Sequence, residues 1–308
     1  MFFKIVQIFI IILFFSLPNK TKSQNTELSS DFHKQRRAEL RKKLPNNSVA
    51  VLFSSPIRNR ANDVDYEYHP DPNFYYLTGW NEPHSVLLIY SNPQKDEKGT
   101  YHEKLYVRER DVRNEMWNGK RLGVEGALTM KYDRVVLKEY FLKDQHNFNK
   151  FDNVLIIDFK NDVRDGSDPS DLYDLQKHFK KKINYPDNFN ALKYRLYKQI
   201  IKAKTDEIPK IKKMIEYYSQ KDSLLTEDPL IKDFISNSTE KDVLIDLKTK
   251  SAFLIRNFNF DIDLLNYYMA SLREIKTNDE LILLKKAIQI SAQGQKEVMK
   301  AIKPEMSE

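Results

Sequence analysis

Apolar residues gather in four short blocks along an otherwise heavily charged chain. They are Ser48–Phe53 (SVAVLF), Ser85–Tyr90 (SVLLIY), Lys104–Val107 (KLYV) and Val154–Phe159 (VLIIDF). Blocks this short, rich in β-branched residues and flanked by turn formers, predict buried strands. The fourth is apolar enough to sit centrally. The polar stretch Ser91–Glu103, with Pro93 and Gly99, predicts a hairpin between the second and third. Asp31–Leu44 is charged and helix-favouring, with Phe32, Leu40 and Leu44 free to share a face, and Pro45 stops it. A second helix is expected around Asp111–Trp117. Helices between and after strands predict an α/β fold on a mixed sheet.

Two further stretches have their own pattern. From about Ile200 to Tyr268 the chain is rich in Lys, Asp and Glu, lacks Gly and is broken by Pro209 and Pro229. It reads either as helices that pack on the sheet or as an insertion between domains. Near the end, Thr277 and Glu280 have the spacing of a capping box. Leu281, Leu284, Ile288, Gln295, Val298 and Ile302 then fall largely on one helical face up to Pro304. The expected helix is roughly 36 Å long, and a helix of that kind needs a partner surface.

At the other end, Lys4 precedes an apolar run, Ile5–Leu17, broken only by Gln7 and Ser16. As a helix the run spans about 20 Å, too short for a hydrocarbon core of about 30 Å. It reads as a cleaved signal peptide over residues 1–23, with cut Ser23–Gln24 and a secreted or periplasmic product. No stable membrane anchor is expected.

Composition removes several chemistries. The chain has no cysteine, which excludes disulfides, Cys-based zinc sites and a Cys nucleophile. The net charge is +7, with 51 basic against 44 acidic residues, yet no basic stripe or nucleic-acid motif appears, so no nucleic-acid partner is expected. Gly119, Gly123 and Gly126 lack the GxGxxG spacing and no strand feeds them, which argues against a nucleotide cradle. There is no HExxH and no GxSxG. Asp63, Asp65, Glu67, His69 and Asp71 crowd one segment, either as oxygen and imidazole donors for a divalent ion or as a polar loop whose carboxylates cap turns.

That segment opens a resemblance. Arg60, Asp63, Tyr66 and Tyr68 are followed by DPNFYYLTGWNEP, in which Asp71, Phe74, Tyr76, Leu77, Thr78, Gly79, Glu82 and Pro83 are the anchors. A second block, VRERDVRNEMWNGKRLGVEGA, runs from Val107 to Ala127, and a third, LREIKTNDELILLKKAIQIS, from Leu272 to Ser291. In this order the three blocks resemble Xaa-Pro aminopeptidases (aminopeptidase P, creatinase/prolidase-like). The stretch between the second and third aligns poorly, and Pro304-Glu305-Met306 stands where the family commonly has Pro-Gly-Met.

The resemblance implies a creatinase-like N-terminal domain over residues 24–200, then a Lys-rich helical insertion or continuation over 201–270. Residues 271–308 would be the linker and truncated first helix of a pita-bread catalytic domain. Family members release an N-terminal residue that precedes proline, using two divalent metals, usually manganese, on two Asp, one His and two Glu. Those ligands lie beyond the linker helix. The chain is therefore expected to hold no metal, to carry no catalytic residue and to be inactive alone. The N-terminal domain builds a homo-oligomer and borders the substrate pocket of a neighbouring subunit. By resemblance the bordering residues are Asp63 and Trp117, with Arg60 and Tyr66 behind them. Trp117 is otherwise a core residue at a helix end, and Arg60 and Tyr66 are otherwise turn and core supports. Asn81-Glu82-Pro83 reads as a turn into the strand. The alternative is a non-catalytic creatinase-like domain used for assembly or peptide binding.

Overall fold

The computed structural model describes residues 27–306, apart from 145, 158, 160–168, 221, 223, 224, 226 and 238–240. The expected signal peptide lies outside the described residues. The chain divides into two compact units, Ser29–Lys276 and a second made of residues 1–28 and 277–308.

The first unit opens with helix α1 (Ser30–Lys43). The Ser29 hydroxyl caps it by accepting from Phe32 N–H, and α1 buries Phe32, His33, Arg37 and Leu40. Strand β1 (Ser48–Phe53) follows, then a small exposed hairpin of β2 (Asn59–Ala61) and β3 (Val64–Asp65). Helix α2 (Pro72–Thr78) starts at Asp71, whose carboxylate accepts from Asn73 and Phe74 N–H. It ends at Gly79, held at φ +65°, a conformation that costs glycine least.

Strands β4 (Val86–Asp96) and β5 (Gly99–Val107) form the expected hairpin, and both outrun their apolar blocks. A register shift between Ile89 and Gln94 lets the polar residues keep pairing up to Asp96–Gly99. Helix α3 (Val112–Asn118), helix α4 (Gly123–Leu128), strand β6 (Arg134–Leu137), helix α5 (Glu139–Lys143) and strand β7 (Asn153–Ile156) come next. The sheet order is β6-β5-β4-β1-β7 and then β8 (Phe260–Asp261). β5–β6, β1–β7 and β7–β8 are parallel, while β1–β4 and β4–β5 are antiparallel. The mixed sheet stands as expected. β7 lies one place in from the edge, because two residues of the chain at Phe260 add a final strand.

Alternation along β1 and β4 sends Val49, Val51, Val86, Leu88 and Tyr90 to one face, where Tyr106, Phe141, Phe148 and Phe179 join them. The opposite face buries Ala50, Leu52, Leu87 and Ile89, and α1 packs there with α2. Helix α6 (Leu172–Lys182) contributes Leu175 and Phe179 to the first face. Helices α7 (Ala191–Lys202), α8 (Ile208–Ser219), α9 (Pro229–Asn237) and α10 (Lys241–Ile255) build a second core from residues such as Ile200, Ile211, Ile215, Phe234 and Leu247. α7 runs across residue 200, and helix α11 (Leu264–Glu274) packs on α1 and β7. The Lys-rich stretch is therefore part of the same compact unit as the sheet.

In the second unit, helix α12 (Asn278–Ala301) has the expected capping box. Thr277 and Glu280 each receive the other's backbone N–H. Leu281, Leu284, Ile288, Val298 and Ile302 are exposed.

Candidate functional site

A cleft of about 740 Å³ opens beyond the carboxyl ends of β5 and β6, where β4 begins. Its size falls within the usual range for small-ligand pockets, about 300–1,000 Å³. Its lining includes Tyr66 and Tyr68, the turn Asn81–His84, and the cations Arg108, Arg121 and Lys138. Lys138 sits beside the end of β5 because its N–H donates to the Val107 carbonyl at 2.7 Å.

Glu82 organises the interior. Its Oε1 accepts from Leu122 N–H at 2.7 Å, and its Oε2 lies 3.5 Å from an Arg108 Nη2. This buried carboxylate ties the 119–122 turn to the end of β5. Glu115 ties the same turn from the other side. It takes a bidentate pair from Arg110 at 3.0 Å for each bond and also accepts from Arg121 N–H. Hydrogen bonding from Arg110 holds the Glu115 carboxyl below its ordinary value. Burial lowers the Arg108 guanidinium, with Glu82 opposing and the like charge of Arg121 adding to the shift. Burial also pushes the Tyr68 hydroxyl up, so it stays a neutral phenol.

Three further cleft acids, Asp111, Asp171 and Glu139, are engaged. Asp111 caps α3 through Arg113 and Asn114 N–H, and Asp171 caps α6. Glu139 Oε1 accepts from the Ser170 hydroxyl at 3.2 Å and lies 3.4 Å from Lys138 Nζ. Lys138 is buried and donates to the Ser170 carbonyl at 2.8 Å and to its hydroxyl at 2.5 Å.

Of the four residues singled out in the sequence, only Tyr66 lines this cleft. Arg60 and Asp63 lie on the exposed β2–β3 hairpin. Trp117 projects from α3 with 85% of its surface exposed, and Met116 and Val112 are exposed at 77% and 72%. That rules out the core reading of Trp117. Tyr66, 58% exposed, is no core support either. In the acidic segment, Asp71 caps α2 and Asp65 accepts from the Asn59 amide at 3.3 Å. Among the described residues no group of three or more acidic or histidine side chains is placed to hold a metal ion. Of its carboxylates, Asp71 is a helix cap and Asp65 stands on β3.

Sequence reasoning passed over Arg108, Arg121 and Lys138. Arg108 and Arg121 stand inside the second motif block, where KRLG after a helix end was the available signal. Asn81-Glu82-Pro83 does form the turn into β4, and its glutamate has the added task of pinning a second loop.

Comparison with known proteins bears out the resemblance over the first two motif blocks. Residues 33–136 match the family "Aminopeptidase P, N-terminal domain". The chain is 38% identical over 96 residues to intermediate cleaving peptidase 55 of Schizosaccharomyces pombe, covering 31% of this chain and 19% of that protein. It is 37% identical over 101 residues to a Haemophilus influenzae Xaa-Pro aminopeptidase, covering 33% and 22%. With human Xaa-Pro aminopeptidase 3 the identity is 38% over 82 residues, covering 27% and 16%. The chain thus spans about a fifth of the length of the curated relatives it matches. A solved structure of Escherichia coli aminopeptidase P with the inhibitor Pro-Leu aligns over 44% of this chain and 30% of that one. The identity there is 28% and the TM-score 0.39.

Proposed function

We propose that this chain, with its aminopeptidase P N-terminal domain across residues 33–136, serves as the assembly and pocket-bordering domain of an exported Xaa-Pro aminopeptidase. Such an enzyme releases an N-terminal residue that precedes proline. Trp117 is the observation that carries the reading. A tryptophan 85% exposed at the end of a capped helix, next to exposed Met116 and Val112, is surface that favours a partner. In the assembled enzyme Trp117 and Asp63 face the active site of a neighbouring subunit, with Arg60 and Tyr66 shaping the same rim. An indole there packs on a proline ring, and a carboxylate receives the free amino terminus of the peptide.

The two divalent metals of the reaction, manganese by resemblance, lower the pKa of a bound water and polarise the scissile carbonyl. The described residues supply no ligand set that fits them, so no catalytic step is assigned to these side chains. Export follows from the leader over residues 1–23. Among the described residues no helix is long and apolar enough to cross a membrane.

The protein isolated from its own source with antibodies to the Ser29–Lys276 unit tests the reading. With manganese present it is expected to cleave peptides with proline second and to leave their alanine-second counterparts intact. Its mature form is expected to begin at Gln24. Absence of proline-dependent cleavage from that material sinks the peptidase reading, and a start at Met1 sinks export.

A further inference from the structure

We propose that the cleft beyond β5 and β6 binds the C-terminal carboxylate of a short peptide through Arg121, seconded by Arg108. Resting on the peptidase reading only for the peptide nature of the ligand, the site is otherwise argued from its own charges.

Arg121 is the unusual group. It lines the cleft and is half-buried, yet among the described residues its side chain makes no ion pair and no hydrogen bond. A guanidinium withdrawn from water without a partner is unfavourable, and burial favours a counter-charge. The cation is also held in place. Glu115 fixes its backbone N–H, and Glu82 fixes that of the next residue, so the side chain is presented from a pinned turn. Arg108 stands close enough to repel it, and Glu82, the acid that meets Arg108, already serves Arg108 and Leu122. With Glu82 committed to Arg108 and Leu122, the Arg121 guanidinium is left without a carboxylate of its own.

The chemistry narrows the ligand. A guanidinium fork matches a carboxylate in two parallel hydrogen bonds. Acids such as Glu82, Glu139 and Asp171 also line the cleft, so a monoanion is accepted more readily than a phosphate dianion. Tyr66 and Pro83, also in the lining, offer the rest of the ligand apolar surface.

The test is isothermal titration of the 308-residue chain with a tetrapeptide acid and with the same peptide as its C-terminal amide. Each is made with proline and with alanine second. A charged hydrogen bond of this kind is worth about tenfold in affinity. The acid is expected to bind at least about tenfold more tightly than the amide, whichever residue is second. Arg121→Gln brings acid binding down to the amide level, Arg121→Lys retains part of it, and Lys296→Gln, a charge loss on exposed α12, changes nothing. Circular dichroism melting confirms that each variant is folded. Equal binding of acid and amide overturns the proposal, as does an Arg121→Gln chain that binds like Lys296→Gln. Displacement of the peptide acid by an equal concentration of inorganic phosphate also overturns it, since the site is then a general anion hole. Failure of the peptidase reading shows instead in the cleavage assay and leaves this titration unchanged.

Discussion

Arg37 meets Glu103 at 2.9 Å in a place water does not reach, with 0% and 4% of the two side chains exposed. The same guanidinium donates to the Leu77 carbonyl at 2.9 Å and the Lys131 carbonyl at 3.0 Å, and it stacks 4.1 Å from the centroid of the Tyr132 ring. One side chain on α1 thereby ties together the end of α2, strand β5 and the loop that leads into β6.

Removing one partner of such a pair is costly because the other stays buried and uncompensated. Arg37→Met is expected to lower unfolding stability by about 3–5 kcal/mol, and the double variant Arg37→Met/Glu103→Leu to recover part of it. Urea denaturation of the two variants beside the parent measures this. Equal stability of Arg37→Met and parent would count against the hub.

Gly79 is expected to tolerate no side chain. Its φ is +65°, and an added Cβ would come within 2.6 Å of the His33 ring. That ring cannot swing aside, since it is buried and bonded through Nδ1 to the Tyr76 carbonyl at 3.0 Å. Gly79→Ala should cost roughly 1–3 kcal/mol. Gly294→Ala, in α12 where nothing lies within 4 Å, should instead raise helix content. Thermal melts and far-ultraviolet circular dichroism read the contrast.

Acid should weaken the fold through His146. Burial pushes this imidazole down to about 4, against the opposing charge of Asp144. Lys104, His178 and Lys182 press in the same downward direction, and Tyr106 shares a 3.0 Å hydrogen bond with its Nε2. The native state therefore refuses a proton that the unfolded chain accepts once pH drops below about 6.5. Stability is full above that value and is lost as pH falls from there toward 4. Denaturation midpoints at pH 7.5, 6 and 5 should decline in order, and His146→Gln should flatten the decline. A parent whose midpoint rises on acidification would contradict the assignment.

Trp117→Ala should leave the monomer intact and undo its assembly. With 85% of the side chain exposed, its loss should move the melting temperature little, within the ±0.5 kcal/mol typical of surface changes. Sedimentation velocity should show the parent as an oligomer and the variant shifted toward the monomer. Asp63→Ala, on the exposed hairpin, should keep the assembly and reduce cleavage of proline-second peptides by the native enzyme.

How much could be read beforehand varied with the kind of signal. The strands at Val49, Leu87 and Tyr106 announce themselves, because apolar runs record burial directly. The Thr277 cap is legible because its partner Glu280 stands only three residues away, whereas the Ser29 cap, which accepts from Phe32 N–H, was not read. Arg37 was invisible, since a cation in a charged helix reads as solvated until the distant Glu103 is brought to it. β8 was missed because two residues, Phe260 and Asp261, leave no period to detect. Arg121 was passed over because its lack of a partner is a property of the cleft and not of the KRLG string. Trp117 was noticed by resemblance, and only the fold decides between core and surface.

The parallel pairing of Val154 with Phe260 sets an order on synthesis. About a hundred residues separate the two, and at roughly 5–20 residues per second a ribosome needs several seconds to deliver the closing strand. Through that interval β7 is an open edge with free backbone groups, available to any passing extended chain. The nascent protein is thus open to strand addition at β7 until Phe260 emerges.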